Sequence, residues 1–350
     1  MSKINWSQNM RCRSINDADP PRIALVGCGA IAESFYLPAF VQTPFASSRL
    51  TLVDINHKRA EAMAANFGIQ SYVQNYKSII SDVDGAIVAL PHQLHYEVTM
   101  DFLRAGVHVL CEKPLAETAE QTSSMVQQAE RSHVSLCVNN TRRLFPSFKK
   151  VKELLTRGVI GKPISFHMEE GGEYNWPTAS GFYFNSENSN HGVLMDRGAH
   201  VLDLVCWWFD SELSIRSYMD DSFGGVEAVA ALDFLIGEST PGFIKLSWLS
   251  RLRNECVIQG EVGTLICEPQ NWRRVSLIED GRSTTIRLPV DQRYFSDFGL
   301  EIVGNFLGVI QERELPLVSG DDVVESIAVL EKCYQNRQRF SLSWMEAGRL

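Results

Sequence analysis

"RIALVGCGAIAESFYLPAF", residues 22–40, decides the fold. It opens with a short apolar run at 22–26 that suits a buried strand. Gly27 and Gly29 break that run, and a helical pattern follows. The loop has the form G-x-G-x-x-A inside a strand–loop–helix context, which is what a dinucleotide pyrophosphate requires. Gly27 permits the tight turn, Gly29 lets the backbone approach the phosphates, and Ala32 allows helix and strand to pack. Unpaired N–H groups at the helix start, around Ala30 and Ile31, supply donors and a partial positive charge. Asp54 ends the next apolar run, "LTLVDIN", at the place where a carboxylate accepts hydrogen bonds from the adenosine ribose. Its charge disfavours a 2′-phosphate, so NAD is expected, with NADP also possible because Lys58 and Arg59 follow closely.

Working outward, the strand–helix alternation continues. "KRAEAMAANFG" and "HYEVTMDFLRAG" read as helices closed by Gly68 and Gly106. "GAIVAL" (85–90), "VHVLCEKP" (107–114) and "VSLCVNN" (134–140) are apolar runs with flanking breakers, as in a parallel sheet covered on both faces. "ETAEQTSSMVQQAERSH" is the helix between the last two. This rhythm predicts a Rossmann doubly wound parallel sheet. From about residue 163 the pattern changes to longer segments, among them "PISFHMEEG", "GFIKLSWLS", "NECVIQG" and "RRVSLIED". They predict a mostly antiparallel open sheet in an α+β domain. "FGLEIVGNFLGVIQE" and "DDVVESIAVLEKCYQNRQRF" read as amphipathic helices near the end. The expected organisation is a disordered leader at 1–20, a dinucleotide-binding domain at 21–142, and a substrate-binding and oligomerisation domain at 143–350.

Composition narrows the function classes. The chain has 350 residues, 45% hydrophobic, which is enough for two cores, and a net charge of -9 that disfavours nucleic acid as a partner. Its eight cysteines form no C-x-x-C pair, no apolar run is long enough to span a bilayer, and the N-terminus lacks a secretory core. A cytoplasmic protein with no membrane partner is expected.

Two stretches carry chemistry. "CEKP" (111–114) lies at the carboxyl end of a parallel strand, where open α/β sheets bind ligands. Pro114 holds Lys113 in an extended geometry, and Glu112 is expected to pair with a nearby cation. "NHGVLMDRGAHVLDLVCWW" (190–208) is apolar yet contains Asp196, Arg197, His200 and Asp203. Buried ionisable groups need partners. On a helix, Asp196 and His200 share a face, so the carboxylate is expected to orient the imidazole and raise its pKa. Such a histidine exchanges a proton with an alcohol or carbonyl oxygen. On the local pattern alone a buried structural His–Asp pair capping a helix fits better, and no third ligand for a metal is evident nearby.

From about Arg22 to about Phe340 the chain resembles the Gfo/Idh/MocA family of nicotinamide-dependent oxidoreductases. The resemblance rests on "GCGAIAE", Asp54, "ALPHQLHYE", "CEKPLAET", "RRLFP", "GVIGKPISF" and "DRGAHVLD". It implies that Lys113, Asp196 and His200 line the substrate beside the nicotinamide and act catalytically. It further implies cofactor contacts from Gly27, Gly29, Ala30, Ile31, Asp54, Pro91, His95, Glu112 and Lys113, and substrate contacts from Arg143. Trp176, in "EYNWPTASGFYF" with Tyr174 and Pro177, offers a stacking surface for a sugar. The family often has a Gly-Gly-Gly run before the aspartate; here Asn190, His191 and Gly192 stand there. The expected activity is hydride transfer between a nicotinamide and a ring carbinol or ketone of a sugar, amino sugar, cyclitol or nucleotide-linked sugar. An NAD-dependent glycosidase with transient redox and a non-catalytic cofactor-binding regulator are the alternatives. A homodimer or homotetramer is expected, because a one-sided sheet leaves apolar area to cover.

Overall fold

The computed structural model describes residues 20–43, 47–177, 191–222, 226–289, 291–292 and 294–341. Most of the leader expected at 1–20 therefore lies outside the described residues, as do Asn190 and the later part of the aromatic stretch.

The first sheet contains β1 (Ile23–Val26), β2 (Leu50–Val53), β3 (Ser71–Val73), β4 (Gly85–Val88), β5 (His108–Glu112) and β6 (Leu136–Asn139). Its strand order is β3-β2-β1-β4-β5-β6, all parallel, which is the doubly wound topology that the alternation predicted. β1, β4 and β5 are buried almost throughout. That explains their continuous apolar runs, because both faces are covered. The covering helices include α1 (Leu37–Val41), α2 (His57–Phe67), α3 (His95–Arg104) and α4 (Ala119–Ser132). Gly68 closes α2 with a left-handed φ of 69°, where a side chain would be strained. Thr118 caps α4 by accepting from the Gln121 amide.

After β6 comes α5 (Pro146–Thr156), then β7 (Pro163–Gly171) and α6 (Ala199–Phe209). β8 (Leu213–Asp220), β9 (Val229–Ile236), β10 (Thr240–Ser247), β11 (Glu255–Gly260), β12 (Gly263–Glu268), β13 (Asn271–Glu279) and β14 (Arg282–Arg287) follow. The chain closes with α7 (Phe298–Ile310), α8 (Val324–Gln335) and β15 (Arg337–Arg339). The nine-stranded second sheet runs β14-β13-β12-β11-β7-β10-β9-β8-β15. It is mostly antiparallel, with parallel pairs only at β7–β10 and β8–β15. Residues 337–339 had read as the end of the last helix. They instead pair with β8, because tertiary pairing outweighs a weak amphipathic pattern at a helix end.

Two contacts tie the C-terminal part of the chain back to the first sheet. α7 packs back on the first sheet, with Ile310 and Phe306 against Gly85. The Val138 amide donates to Val318 O, fixing the end of β6 to the segment before α8.

Candidate active site

The carboxyl ends of β1, β4 and β5 form one edge of the first sheet. Strand order reverses between β1 and β4, and ligands bind at such a switch point. Gly27 turns the chain there with φ +100°; a Cβ would lie 2.3 Å from Ala89 O, so no side chain fits. Gly29 differs, since nothing lies within 4 Å of where its Cβ would be. The Glu33 amide donates to Gly29 O, opening the helix. The amides just before it, at Ala30 and Ile31, therefore have no intrahelical acceptor to use. This open cradle with unclaimed donors fits a dinucleotide pyrophosphate. Asp54 braces it from β2: Oδ2 accepts from the Cys28 amide at 2.9 Å and Oδ1 from the Asn56 amide at 2.8 Å. Arg59 Nε donates to Cys28 O at 2.6 Å. The loop is clasped by a carboxylate and a guanidinium together.

Lys113 follows β5, and its peptide bond to Pro114 is cis. Its Nζ donates to both Oδ1 and the backbone carbonyl of Asp196, each at 2.9 Å. The Trp248 indole donates to Asp196 Oδ2 at 3.3 Å. Burial opposes ionisation of Asp196, but the Lys113 and Arg197 charges and these hydrogen bonds outweigh it and hold the carboxyl below its ordinary value. Asp196 sits in a π-helical turn, Leu194–Gly198, that leads into α6. Such widened turns recur at functional sites.

His200 is half-buried one turn further along α6. Its carboxylate neighbour is spoken for by Lys113 and Trp248, so the expected Asp196–His200 orientation is not made. The expected rise in its pKa is reversed as well. Burial first, then the Lys113 and Arg142 charges, push it well below its ordinary value. Its Nδ1 is buried with no hydrogen-bond partner among the described residues. At neutral pH the ring is uncharged, so it can accept a proton.

The sequence comparisons bear on this arrangement. The profile of the oxidoreductase family with an NAD-binding Rossmann fold matches residues 21–140, and that of the GFO/IDH/MocA C-terminal domain matches residues 148–266. The chain belongs to the GFO/IDH/MocA family of NAD(P)-dependent oxidoreductases. It is an oxidoreductase with an NAD-binding Rossmann domain. Oxidoreductase P35 of Formosa agariphila is 26% identical over 75% of this chain and 79% of its own length. The 1,5-anhydro-D-fructose reductase of Ensifer adhaerens is 30% identical over 53% of this chain and 55% of its own, so that match spans about half of either protein. Among solved structures, KijD10, a 3-ketoreductase from Actinomadura kijaniata in complex with NADP and TDP-benzene, shares the fold. Its TM-score is 0.79 at 21% identity, covering 92% of this chain and 99% of that one.

Other residues singled out from the oxidoreductase's sequence fall into several environments. His95 starts α3 fully buried, its Nδ1 2.8 Å from Pro114 O and its Nε2 2.8 Å from Leu90 O. It ties the Pro91 turn to the Lys113–Pro114 turn. Among the described residues Glu112 pairs with no cationic side chain. Its Oε1 accepts from Tyr36 Oη and Asn139 Nδ2, and its Oε2 from the Lys113 amide. Burial pushes its pKa up, only partly offset by those donors. Arg143 is committed to Asp203 through two bonds of 2.8 and 2.7 Å and donates to Asp322 O. Its neighbour Arg142 is the one whose charge reaches Asp196 and His200, while Glu170 holds it through bonds of 2.6 and 2.7 Å. Trp176 is 39% exposed. Tyr174, two residues earlier, packs edge-on against Trp248.

Sequence reasoning missed Arg142, Trp248 and His92. His92 is buried, and its pKa is driven well down by burial, then by His95, Lys113 and His191. The doubled arginine in "RRLFP" was a signal: successive residues in a helical turn point different ways. Trp248 sits at the end of β10 and carried no local mark.

Proposed function

We propose that this enzyme moves a hydride between a nicotinamide and a ring carbon of a sugar, amino sugar, cyclitol or nucleotide-linked sugar. The observation that carries this reading is the Lys113–Asp196 pair beside an uncharged His200, at the sheet edge where Gly27 and Gly29 open a dinucleotide cradle. The sugar reductase among the relatives supports the substrate class. Gly27, Gly29, Ala30, Ile31 and Asp54 would hold the dinucleotide, with Pro91, His95, Glu112 and Lys113 shaping the nicotinamide end. When bound, the nicotinamide supplies or accepts the hydride.

The chain's own groups do the rest. Lys113 donates to the reacting oxygen and stabilises negative charge developing on it. His200 takes the hydroxyl proton in oxidation and returns it in reduction. Asp196 fixes the Lys113 ammonium and orients a neighbouring hydroxyl. Burial first, then the Lys113 and Arg142 charges, keep His200 unprotonated. Trp176 and Arg143 flank the sugar end, Arg143 through its fixed backbone segment. Asp54 favours NAD, and Arg59 beside it leaves room for NADP.

The division into a dinucleotide domain at 21–142 and a substrate and oligomerisation domain at 143–350 belongs to this reading. So does a homodimer or homotetramer formed through the outer face of the second sheet. Half-buried Phe243 and Val257 flank His167 on neighbouring strands of that face. Among the described residues no helix is long and apolar enough to cross a membrane. The cysteines described are all unpaired, which supports a cytoplasmic location.

The test is nicotinamide absorbance with NAD and, separately, NADP against sugars, cyclitols and sugar nucleotides, plus ketoses with the reduced cofactors. The expected result is turnover on one substrate class, lost in Lys113→Ala, while that variant still binds NADH by fluorescence. Full turnover by Lys113→Ala would overturn the assignment.

A further inference from the structure

The helix turn bearing Asp196 and His200 begins with backbone donors that have no partner within the helix. Two distant residues take all of them. Glu227 Oε1 accepts from the Gly192 amide at 2.8 Å and the Leu194 amide at 3.2 Å, and Glu227 O accepts from the Val193 amide at 2.9 Å. Tyr334 Oη accepts from the Met195 amide at 3.1 Å and donates to Glu227 Oε1 at 2.7 Å. The next amide, Asp196, makes the first bond inside the turn, to Gly192 O. Glu227 is fully buried. Its second oxygen accepts from Arg337 Nη2 at 3.1 Å, and Arg337 Nε pairs with the buried Asp220 at 2.7 Å. β8 and β15 lie side by side here, so the Arg337–Asp220 pair spans neighbouring strands.

This arrangement requires a glycine at 192. A Cβ there would lie 1.9 Å from Glu227 O. His191 packs on the Tyr334 ring, centroids 4.4 Å apart, and its Nδ1 is 3.6 Å from Glu117.

We propose that Glu227 is a positioning residue for the oxidation–reduction chemistry, with Tyr334 and Arg337 as its supports. It fixes the start of the turn from which Asp196 reaches Lys113 and Trp248 and from which His200 faces the substrate. The inference rests on the reading of Asp196 and His200 as the reacting site. A carboxylate is needed because one oxygen must accept three donors while the other meets a guanidinium. An amide in its place turns its NH2 either on Arg337 or on the helix amides.

The test uses full-length Glu227→Gln and, as a milder change, Tyr334→Phe, each labelled with 15N-tryptophan. The Trp248 indole N–H bonds Asp196, so its resonance, assigned with Trp248→Phe, reports where that carboxylate lies. Both variants are expected to shift this resonance and to keep NADH affinity within twofold. kcat on the sugar selected by the absorbance panel should fall about 10- to 100-fold, with less than a threefold change in KM, as for a sub-ångström to ångström misplacement. Glu227→Gln in a His200→Ala background should add a smaller loss than in the native chain, because only the Asp196–Lys113 arm is left to misplace. An unmoved Trp248 resonance in both variants overturns the inference, whatever the turnover. So does a loss that multiplies undiminished in the His200→Ala background. A moved resonance, together with full turnover in Lys113→Ala and His200→Ala, leaves the positioning intact and removes the proposed chemistry instead.

Discussion

The glycine loop after β1 and the turn carrying Asp196 and His200 hold their groups by different means. The loop is clasped mainly by the next strand and helix of its own βαβ unit: Gly27 and Cys28 are fixed by Val53, Asp54 and Arg59, and the Ala89 carbonyl walls off Gly27. Apart from the Asp196 amide bond to Gly192 O, the Asp196 turn takes its anchors from several separate elements. Its amides end on Glu227 and Tyr334, its carboxylate on Lys113 and Trp248, and its arginine on the Ser247 and Gly172 carbonyls. The lesson is about energetic exposure. A loop held locally fails when its own geometry is broken, whereas a turn held remotely fails when any one of several distant anchors is lost.

That contrast can be broken or sharpened experimentally, beginning with the largest effect. Replacing His200 with Ala removes the imidazole proposed to exchange the substrate's proton. kcat is expected to fall about 10²- to 10⁴-fold, with NADH affinity retained; steady-state kinetics beside a fluorescence titration would check it. A variant with wild-type kcat would mean that the remote turn carries structure and no chemistry.

Arg143→Met comes next. It leaves Asp203 buried without its guanidinium, which typically costs about 3–5 kcal/mol. Denaturant unfolding should show that loss; Arg142→Met, which leaves buried Glu170 without its guanidinium, should lose about as much but should also change the pH dependence of turnover. An unchanged pH dependence in Arg142→Met would collapse the distinction between the two arginines.

Gly27→Ala probes the local wall. The residue sits at φ +100° with a carbonyl in the path of its Cβ. Strain of about 1–3 kcal/mol is expected, with NADH binding lost. Gly29→Ala should fold with an unchanged melting temperature yet still weaken NADH, because its methyl enters the cradle. If the two variants bind alike, the cradle is not where the phosphates sit.

The smallest expected effect is on stability against pH. His92, His95 and His200 all have folded pKa values depressed below the ordinary 6.5, primarily by burial. Above about pH 6.5 neither folded nor unfolded chain protonates them, so nothing is lost. As pH falls below that value the unfolded chain takes up protons that the folded one refuses, and stability declines. Melting temperatures between pH 7.5 and 5.5 should fall, and His92→Gln should flatten the slope. A flat profile in the native chain would contradict the neutral, buried state of these rings.

Much of this was legible from the chain alone. Strand alternation, the glycine spacing, Asp54 at a strand end and the left-handed Gly68 are local devices, and local sterics and periodicity write them directly into sequence. Lys113, Asp196 and His200 were also visible, as ionisable residues in apolar surroundings, and the order of their motifs named the family. Their pairing was not visible. Helical spacing joined Asp196 to His200, yet Asp196 turns to an ammonium 83 positions away, and His200 is left neutral between two cations. Arg142 and Arg143 are neighbours in sequence with different tasks, and Glu227, Trp248 and Tyr334 carried no motif at all. The sequence determined which groups the chain possesses and which elements hold them, because backbone geometry is set by neighbours. Tertiary structure decided which charge meets which, because a buried ion or amide takes the partner that packing brings within reach, however far off it lies along the chain.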